Sequence, residues 1–279
     1  MFYPISLLVL AMVSIQSGAG LAKSLFPIAG AAGATTLRLF FASVILFFFW
    51  RPWRFKYSFS EIKKLFYYGA SLGFMNLCFY FALERIPLGL AVTLEFVGPL
   101  GLSLISSRKK RDFFWALLAA VGLYLIMPTT LEKTPTDEVG ILFALGAGLF
   151  WALYIYFGQK AGKNFHSGMA TCLGMIFAAL VVMPFGFLSG GSLFSMKILP
   201  LALAVAVLSS ALPYSLEMVA LKSIPTKTFG ILMSLEPVIA TLVGILFLGE
   251  KLGALQLVAM ACVMMASVGS TLSHFGKND

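Results

Sequence analysis

The chain has 279 residues, 60% of them hydrophobic and only 11% charged, with a formal net charge of +9. A water-facing domain carries about 25% charged residues, so the polar groups needed to cover a soluble surface are missing. The positive excess does not point to nucleic acid, because the lysines and arginines sit in short loops between apolar runs rather than on one folded face, as the positive-inside rule predicts for a membrane protein.

Apolar runs of about 20 residues, each able to cross a hydrocarbon core of ~30 Å, recur from one end of the chain to the other. The first covers 4–22, within MFYPISLLVLAMVSIQSGAGLAKS, and lacks a basic segment before it, so it is expected as an uncleaved transmembrane helix rather than a signal peptide. The others are expected at 30–50, 64–83, 87–105, 112–128, 139–157, 167–188, 198–221, 226–248 and 252–272. Their length favours helices, since a membrane strand needs only half as many residues, and a helix closes its own backbone hydrogen bonds in lipid. The expected fold class is all-α integral membrane, with ten transmembrane helices.

An even number of spans places both termini on one side. Loops on that side hold fourteen of the basic residues, among them Arg51, Arg54, Lys56, Lys63, Lys64 and the run Arg108, Lys109, Lys110 and Arg111. The opposite loops hold five, namely Lys23, Arg85, Lys133, Lys197 and Lys251. Both termini and the 106–112 loop are therefore expected in the cytoplasm, with 129–138 outside.

Segment 71–87, SLGFMNLCFYFALERIP, aligns without a gap on 209–225, SSALPYSLEMVALKSIP. Ser71, Ala82, Leu83, Ile86 and Pro87 match Ser209, Ala220, Leu221, Ile224 and Pro225, and Leu94–Glu95 recurs as Leu235–Glu236 after a three-residue insertion. The offset predicts two repeats of five helices, at 1–130 and 137–273. Five is odd, so the two halves enter the membrane in opposite directions. Inverted repeats of this kind place a transport site near the midplane between the halves.

A charge at mid-bilayer costs roughly 2.5–3.5 kcal/mol on insertion scales, so each one needs a reason. Arg38 and Glu95 each lie about eight residues into their helices from the same side, ~12 Å deep at 1.5 Å per residue, close enough in depth to pair. Glu236 is the inverted counterpart of Glu95, and Glu217 lies nearer the cytoplasmic end of its helix. A proline frees the carbonyl four residues earlier: Pro99 frees that of Glu95, and Pro213 that of Ser209. Pro237 disfavours helical geometry at Glu236. Polar residues at helical spacing suggest a cavity: Gln16, Gly20 and Lys23; Asn76 and Tyr80; Trp151 and Tyr154; Ser210, Tyr214 and Glu217. Gly69 and Gly73 read equally well as a close helix contact. Glu84, Arg85 and Glu250 fall at span ends as solvated or capping groups.

Enzyme signatures are absent: there is no HExxH, GxSxG or GxxxxGK[ST], and His166 and His274 lie far apart. Cys78, Cys172 and Cys262 show no metal-type spacing. No cofactor is expected. Transport without an ATP-binding domain is driven by an ion gradient, by the substrate's own gradient or by a partner.

The stretches SIQSGAGLAKSLFP (14–27), PLGLAVTLEFVGPL (87–100), ALGAGLFWALYI (144–155) and LSSALPYSLEMVALKSIPTKTFGILMSLEP (208–237) resemble EamA-type drug/metabolite transporters, and within them the threonine/homoserine exporters of enteric bacteria. FLGE at 247–250 is typical of the wider superfamily, but the first half reads ISSRKKRD there, so Glu250 is not half of a symmetric site. The resemblance implies two EamA repeats and export of small amino acids across a bacterial inner membrane, by exchange with protons. Export of another amino acid, a metabolite or a toxic amphipathic compound stays open, and a membrane scaffold or enzyme is the reading from a different class. A zwitterion leaving water needs partners for both charges. Glu95 with Arg38 is then expected to grip substrate, and Glu236, with no cation in its helix, to carry the proton.

Overall fold

The computed structural model describes residues 2–55, 57–106, 110–126, 137–162, 167–191, 193, 195–214, 216–217 and 232–275. The expected matches at Ala220, Leu221, Ile224 and Pro225 and the start of the span at 226–248 lie outside them, as do residues 107–109 of the 106–112 loop and most of the 129–138 loop. Among the described residues the chain is helical, with no strand.

The N-terminal half forms α1 (Phe2–Ala22), α2 (Phe26–Trp50), α3 (Phe59–Leu83), α4 (Leu88–Glu95), α5 (Val97–Ser106) and α6 (Lys110–Ile126). The C-terminal half forms α7 (Glu138–Gly162), α8 (Ser167–Leu188), α9 (Leu199–Ala206), a π turn (Val207–Ala211), α10 (Glu236–Leu248) and α11 (Ala254–Phe275). By length and composition, the described segments Tyr3–Trp50, Phe59–Leu83, Glu138–Lys160 and Gly168–Leu188 are each long and apolar enough to cross a membrane.

Local chemistry sets the helix ends. A helical turn at 26–29 precedes the expected start of the second span, and Gly30, at φ 67° and ψ 170°, breaks it from the rest of α2. Glycine alone takes that backbone freely. The Ala31 N–H beyond the break donates to Glu84 Oε1 at 2.9 Å, so Glu84 is a cap as expected. Left-handed Arg51 followed by Pro52 stops α2. Ser58 and Glu61 form a capping box that starts α3 five residues earlier than the apolar run suggests.

Two expected single helices are interrupted. The span at 87–105 divides at Phe96 into α4 and α5, because Pro99 cannot donate to the Glu95 carbonyl. The span beginning at 198 passes from α9 into the π turn just before Pro213. The span expected from 226 has a turn at 234–235, so Glu236 opens α10 instead of lying mid-helix.

The largest core cluster joins α1, α2, α3, α4, α7 and α10, and a second fills the space between α2, α3 and α8. Gly69 and Gly73 serve the α3–α8 contact: a Cβ at Gly69 would strike the Gly174 carbonyl and Phe177, and one at Gly73 would lie 3.0 Å from the Ala178 carbonyl. The close-contact reading of this pair holds. Large apolar side chains face outward, including Phe113, Leu142, Leu246 and Phe247, each at least 68% exposed. Such an apolar exterior suits lipid and not water.

Glu250 ties three elements together. It pairs with Lys23 at 2.7 Å and accepts from the Leu88 N–H at 2.8 Å, capping α4 from the turn that follows α10. Lys23 is therefore committed here, and Gly20 faces Leu248. Neither belongs to a cavity stripe with Gln16.

Candidate functional site

One cavity of about 140 Å³ gathers nearly every polar residue expected at a site. Gln16 enters from α1, Arg38 from α2, Asn76 from α3, Glu95 from the end of α4, Trp151 and Tyr154 from α7, Tyr214 and Glu217 from beyond the π turn, and Glu236 from the start of α10. Tyr80 is an exception, as are Ser210 and Lys23. Tyr80 is fully buried behind Arg38 and does not reach the wall.

The helix breaks position the two pseudo-equivalent glutamates. Glu95 is the last residue of α4 and Glu236 the first of α10, and these helices pack together, with Gly89 of α4 against Thr241 of α10. Backbone bends at both points let each carboxylate leave the packed helix face. The freed Glu95 carbonyl lies against α7, where a Cβ on Gly148 would approach it to 2.7 Å.

Arg38, buried at 4% exposure, does not pair with Glu95. Among the described residues, the ion pairs are Lys23–Glu250 and Arg85–Asp137. The guanidinium instead fans onto the protein: Nη2 donates to the Ser209 carbonyl at 2.9 Å, Nε to Ser210 Oγ at 3.2 Å and Nη1 to the Tyr80 hydroxyl at 3.3 Å. Its carbon also stands 5.4 Å from the Tyr80 ring centroid, within cation–π range. The reason lies in the π turn. Pro213 has no N–H, so carbonyls at the turn must find other donors. Ser14 Oγ donates to the Leu208 carbonyl at 2.7 Å, and Arg38 serves Ser209. The predicted freeing of the Ser209 carbonyl and the position of Arg38 are thus one feature.

Glu236 meets a neutral amide: Gln16 Nε2 donates to its Oε1 at 2.8 Å. Glu236 Oε2, Gln16 Oε1 and Ser209 Oγ are buried without a hydrogen-bond partner among the described residues. Asn76 Nδ2 donates back to the Leu72 carbonyl at 2.8 Å, a bond within its own helix. On the aromatic side, Trp151 meets Phe96 edge-on at 4.9 Å, and Tyr154 stacks on Tyr68 at 4.8 Å while accepting its hydroxyl at 3.0 Å. These contacts fix the rings and leave the Trp151 indole and the tyrosine hydroxyls as neutral donors at the wall.

Sequence reasoning missed the apolar part of the lining, Met75, Phe79 and Met233 among it. Nothing in the sequence distinguishes these from the many apolar side chains that face lipid. The described histidines, cysteines and acids form no group of three able to hold a metal ion.

Residues 138–272 match the model of the EamA-like transporter family. The threonine/homoserine exporter RhtA of Escherichia coli (strain K12) is 49% identical over 271 residues, covering 97% of this chain and 92% of that protein. The exporter of the same name from Salmonella typhimurium (strain LT2) matches to the same extent. Protein PecM of Dickeya dadantii is 26% identical, over 74% of this chain and 72% of its own length. A solved crystal structure superposes with a TM-score of 0.60 at 15% identity, covering 96% of this chain and 97% of that one, a likeness of fold. These matches and the apolar helices make the chain a multi-pass membrane transporter rather than an enzyme, and a member of the EamA-like transporter family.

Proposed function

We propose that the chain exports small amino acids of the threonine and homoserine type across a bacterial inner membrane, by alternating access and in exchange for protons. The observation that carries this is the 49% identity, over 97% of the chain, to a threonine/homoserine exporter. The cavity agrees with it in size and chemistry. A void of about 150 Å³ holds a benzene-sized molecule, and this one, of about 140 Å³, offers charges of both signs and aromatic walls.

Ten crossings follow if Tyr3–Trp50, 48 residues long, makes two of them. At 1.5 Å per residue it extends roughly 72 Å, against ~30 Å of hydrocarbon. Three further long helices and the five shorter apolar segments complete the count. The packing supports the inverted repeats at 1–130 and 137–273. If α1, α2, α3, α5 and α6 correspond to α7, α8, α9 with its π turn, α10 and α11, as the match of Glu95 to Glu236 requires, several of the main contacts between the halves fall into pairs. The α3–α7, α5–α7 and α3–α8 contacts map onto α9–α1, α10–α1 and α9–α2, while α2–α8 and α6–α11 map onto themselves.

In this reading Glu95 and Glu236 take the substrate ammonium or a proton, and both termini are cytoplasmic. Glu236 carries the proton, because its described partner is the neutral Gln16 and not a cation. Asn76, Trp151, Tyr154, Tyr214 and Glu217 complete the substrate wall. The test is efflux from vesicles holding the purified protein, over a panel of amino acids and with or without a pH gradient. Threonine and homoserine should leave fastest, and faster with the gradient. Equal efflux of an unrelated metabolite, with neither amino acid moving, would refute the assignment.

A further inference from the structure

The charges facing the cavity do not balance. Among the described residues, three carboxyl groups, on Glu95, Glu217 and Glu236, share it with one guanidinium. Each nitrogen of that guanidinium already donates to the protein, at Ser209, Ser210 and Tyr80. Beside them, Gln16 is 3% exposed and Glu236 7%, and one oxygen of each, Gln16 Oε1 and Glu236 Oε2, has no partner among the described residues. The Gln16 amide nitrogen is held by the other Glu236 oxygen, which keeps the two side chains together. What these two oxygens lack is a donor. An ammonium brings three N–H groups and no acceptor, so it fits a pair of unfilled oxygens, one of them charged. A ligand carboxylate brings only acceptors. It meets neutral donors here, the indole of Trp151 and the hydroxyls of Tyr154 and Tyr214, and the two N–H groups that Arg38 has not already given to the protein, against three acidic side chains.

We infer that Gln16 Oε1 and Glu236 Oε2 form the ammonium subsite of the cavity, and that small hydroxylated primary amines without a carboxyl group are a second class of ligand. The inference rests on the cavity being the substrate site proposed above. Recognition is centred on the amine. Removing the carboxyl group of an amino acid forfeits neutral hydrogen bonds and a contact to a guanidinium that the protein already engages through all three nitrogens. Replacing the ammonium by a hydroxyl leaves one donor for two buried oxygens and removes the cation that offsets the ligand's own carboxylate, which a site built around an N–H group rejects strongly.

Binding to the purified full-length protein is measured by calorimetry for threonine, for the amino alcohol made by reducing its carboxyl group, and for 2,3-dihydroxybutanoate, in which hydroxyl replaces the amine. The amino alcohol should bind within about tenfold of threonine, and the dihydroxy acid at least about a hundredfold more weakly. Gln16→Leu should weaken both amines together by about tenfold. The wild-type comparison stands even if that variant does not fold. Threonine binding without the amino alcohol, or a dihydroxy acid as tight as the amino alcohol, would overturn the inference. If the amino alcohol binds while threonine neither binds nor leaves vesicles, the subsite stands and the export assignment fails. If no amine binds, the subsite is wrong.

Discussion

The link between Arg38 and Pro213 can be tested by a double-mutant cycle. Arg38 makes one short hydrogen bond, 2.9 Å to the Ser209 carbonyl, and two longer ones, 3.2 and 3.3 Å, to the Ser210 and Tyr80 hydroxyls. Hydroxyls rotate toward other partners when a donor is lost. The carbonyl cannot, because residue 213 is a proline and supplies no N–H. A buried carbonyl left unpaired costs about 1–3 kcal/mol, while removing a buried charge recovers part of its desolvation cost. Arg38→Met should therefore destabilise the protein by about 2 kcal/mol, near the middle of that range. Pro213→Ala restores a backbone N–H one helical turn beyond Ser209, so in that background the same substitution should cost about 1 kcal/mol less. Arg38→Lys, which keeps a donor for the carbonyl, should fall between wild type and Arg38→Met. The assay is reversible unfolding of the detergent-solubilised protein for the four variants of the cycle. Additivity within about 0.3–0.5 kcal/mol would mean that the two residues do not share the carbonyl, and would refute the argument.

Glu236→Gln should abolish export driven by a pH gradient and also weaken substrate exchange, because its carboxylate meets the substrate ammonium, and Glu95→Gln should weaken both; a Glu236→Gln protein that still concentrates substrate in response to a pH gradient would remove Glu236 from the proton path. For topology, a membrane-impermeant thiol reagent added outside should label Glu138→Cys and miss Lys63→Cys, both exposed positions; the reverse pattern would invert the orientation. The Gly140 N–H, at 3.0 Å, and then Arg85 hold the Asp137 carboxyl below the ordinary aspartate range, against a smaller opposing effect of burial. A depressed folded value means the stabilisation is present above the unfolded value of ~3.9 and lost as pH falls through the lowered one. Wild type and Asp137→Asn should therefore differ in stability at neutral pH and converge in acid, and a gap that persists into strong acid would contradict this.

Much of the site was legible from composition alone, for a physical reason. In a chain with 11% charged residues, each ionisable group inside an apolar run must be compensated, so Arg38, Glu95, Glu217 and Glu236 stood out without any structure. Prolines pointed to the same places: Pro99 and Pro213 free particular carbonyls, and the helix breaks at Phe96 and the π turn lie next to them. Depth along a helix could be counted, and depth brought Arg38 and Glu95 to one cavity.

Orientation around the helix could not be counted, and tertiary packing decided it. Equal depth made Arg38 and Glu95 candidates for an ion pair, yet the guanidinium turns to the Ser209 carbonyl, because a fixed backbone acceptor without a donor competes for it. Lys23 and Gln16 lie on one helical stripe, but Lys23 is drawn to Glu250, 227 positions away, while Gln16 meets Glu236, 220 positions away. Tyr80 is polar and at the right depth but sits behind Arg38 rather than in the wall. The apolar lining was invisible because Met75 and Phe79 carry the same signal whether they face lipid or substrate. Hydrophobic length and buried charge are one-dimensional properties that a sequence states by itself; which neighbour satisfies each buried polar atom depends on the helices that pack against it.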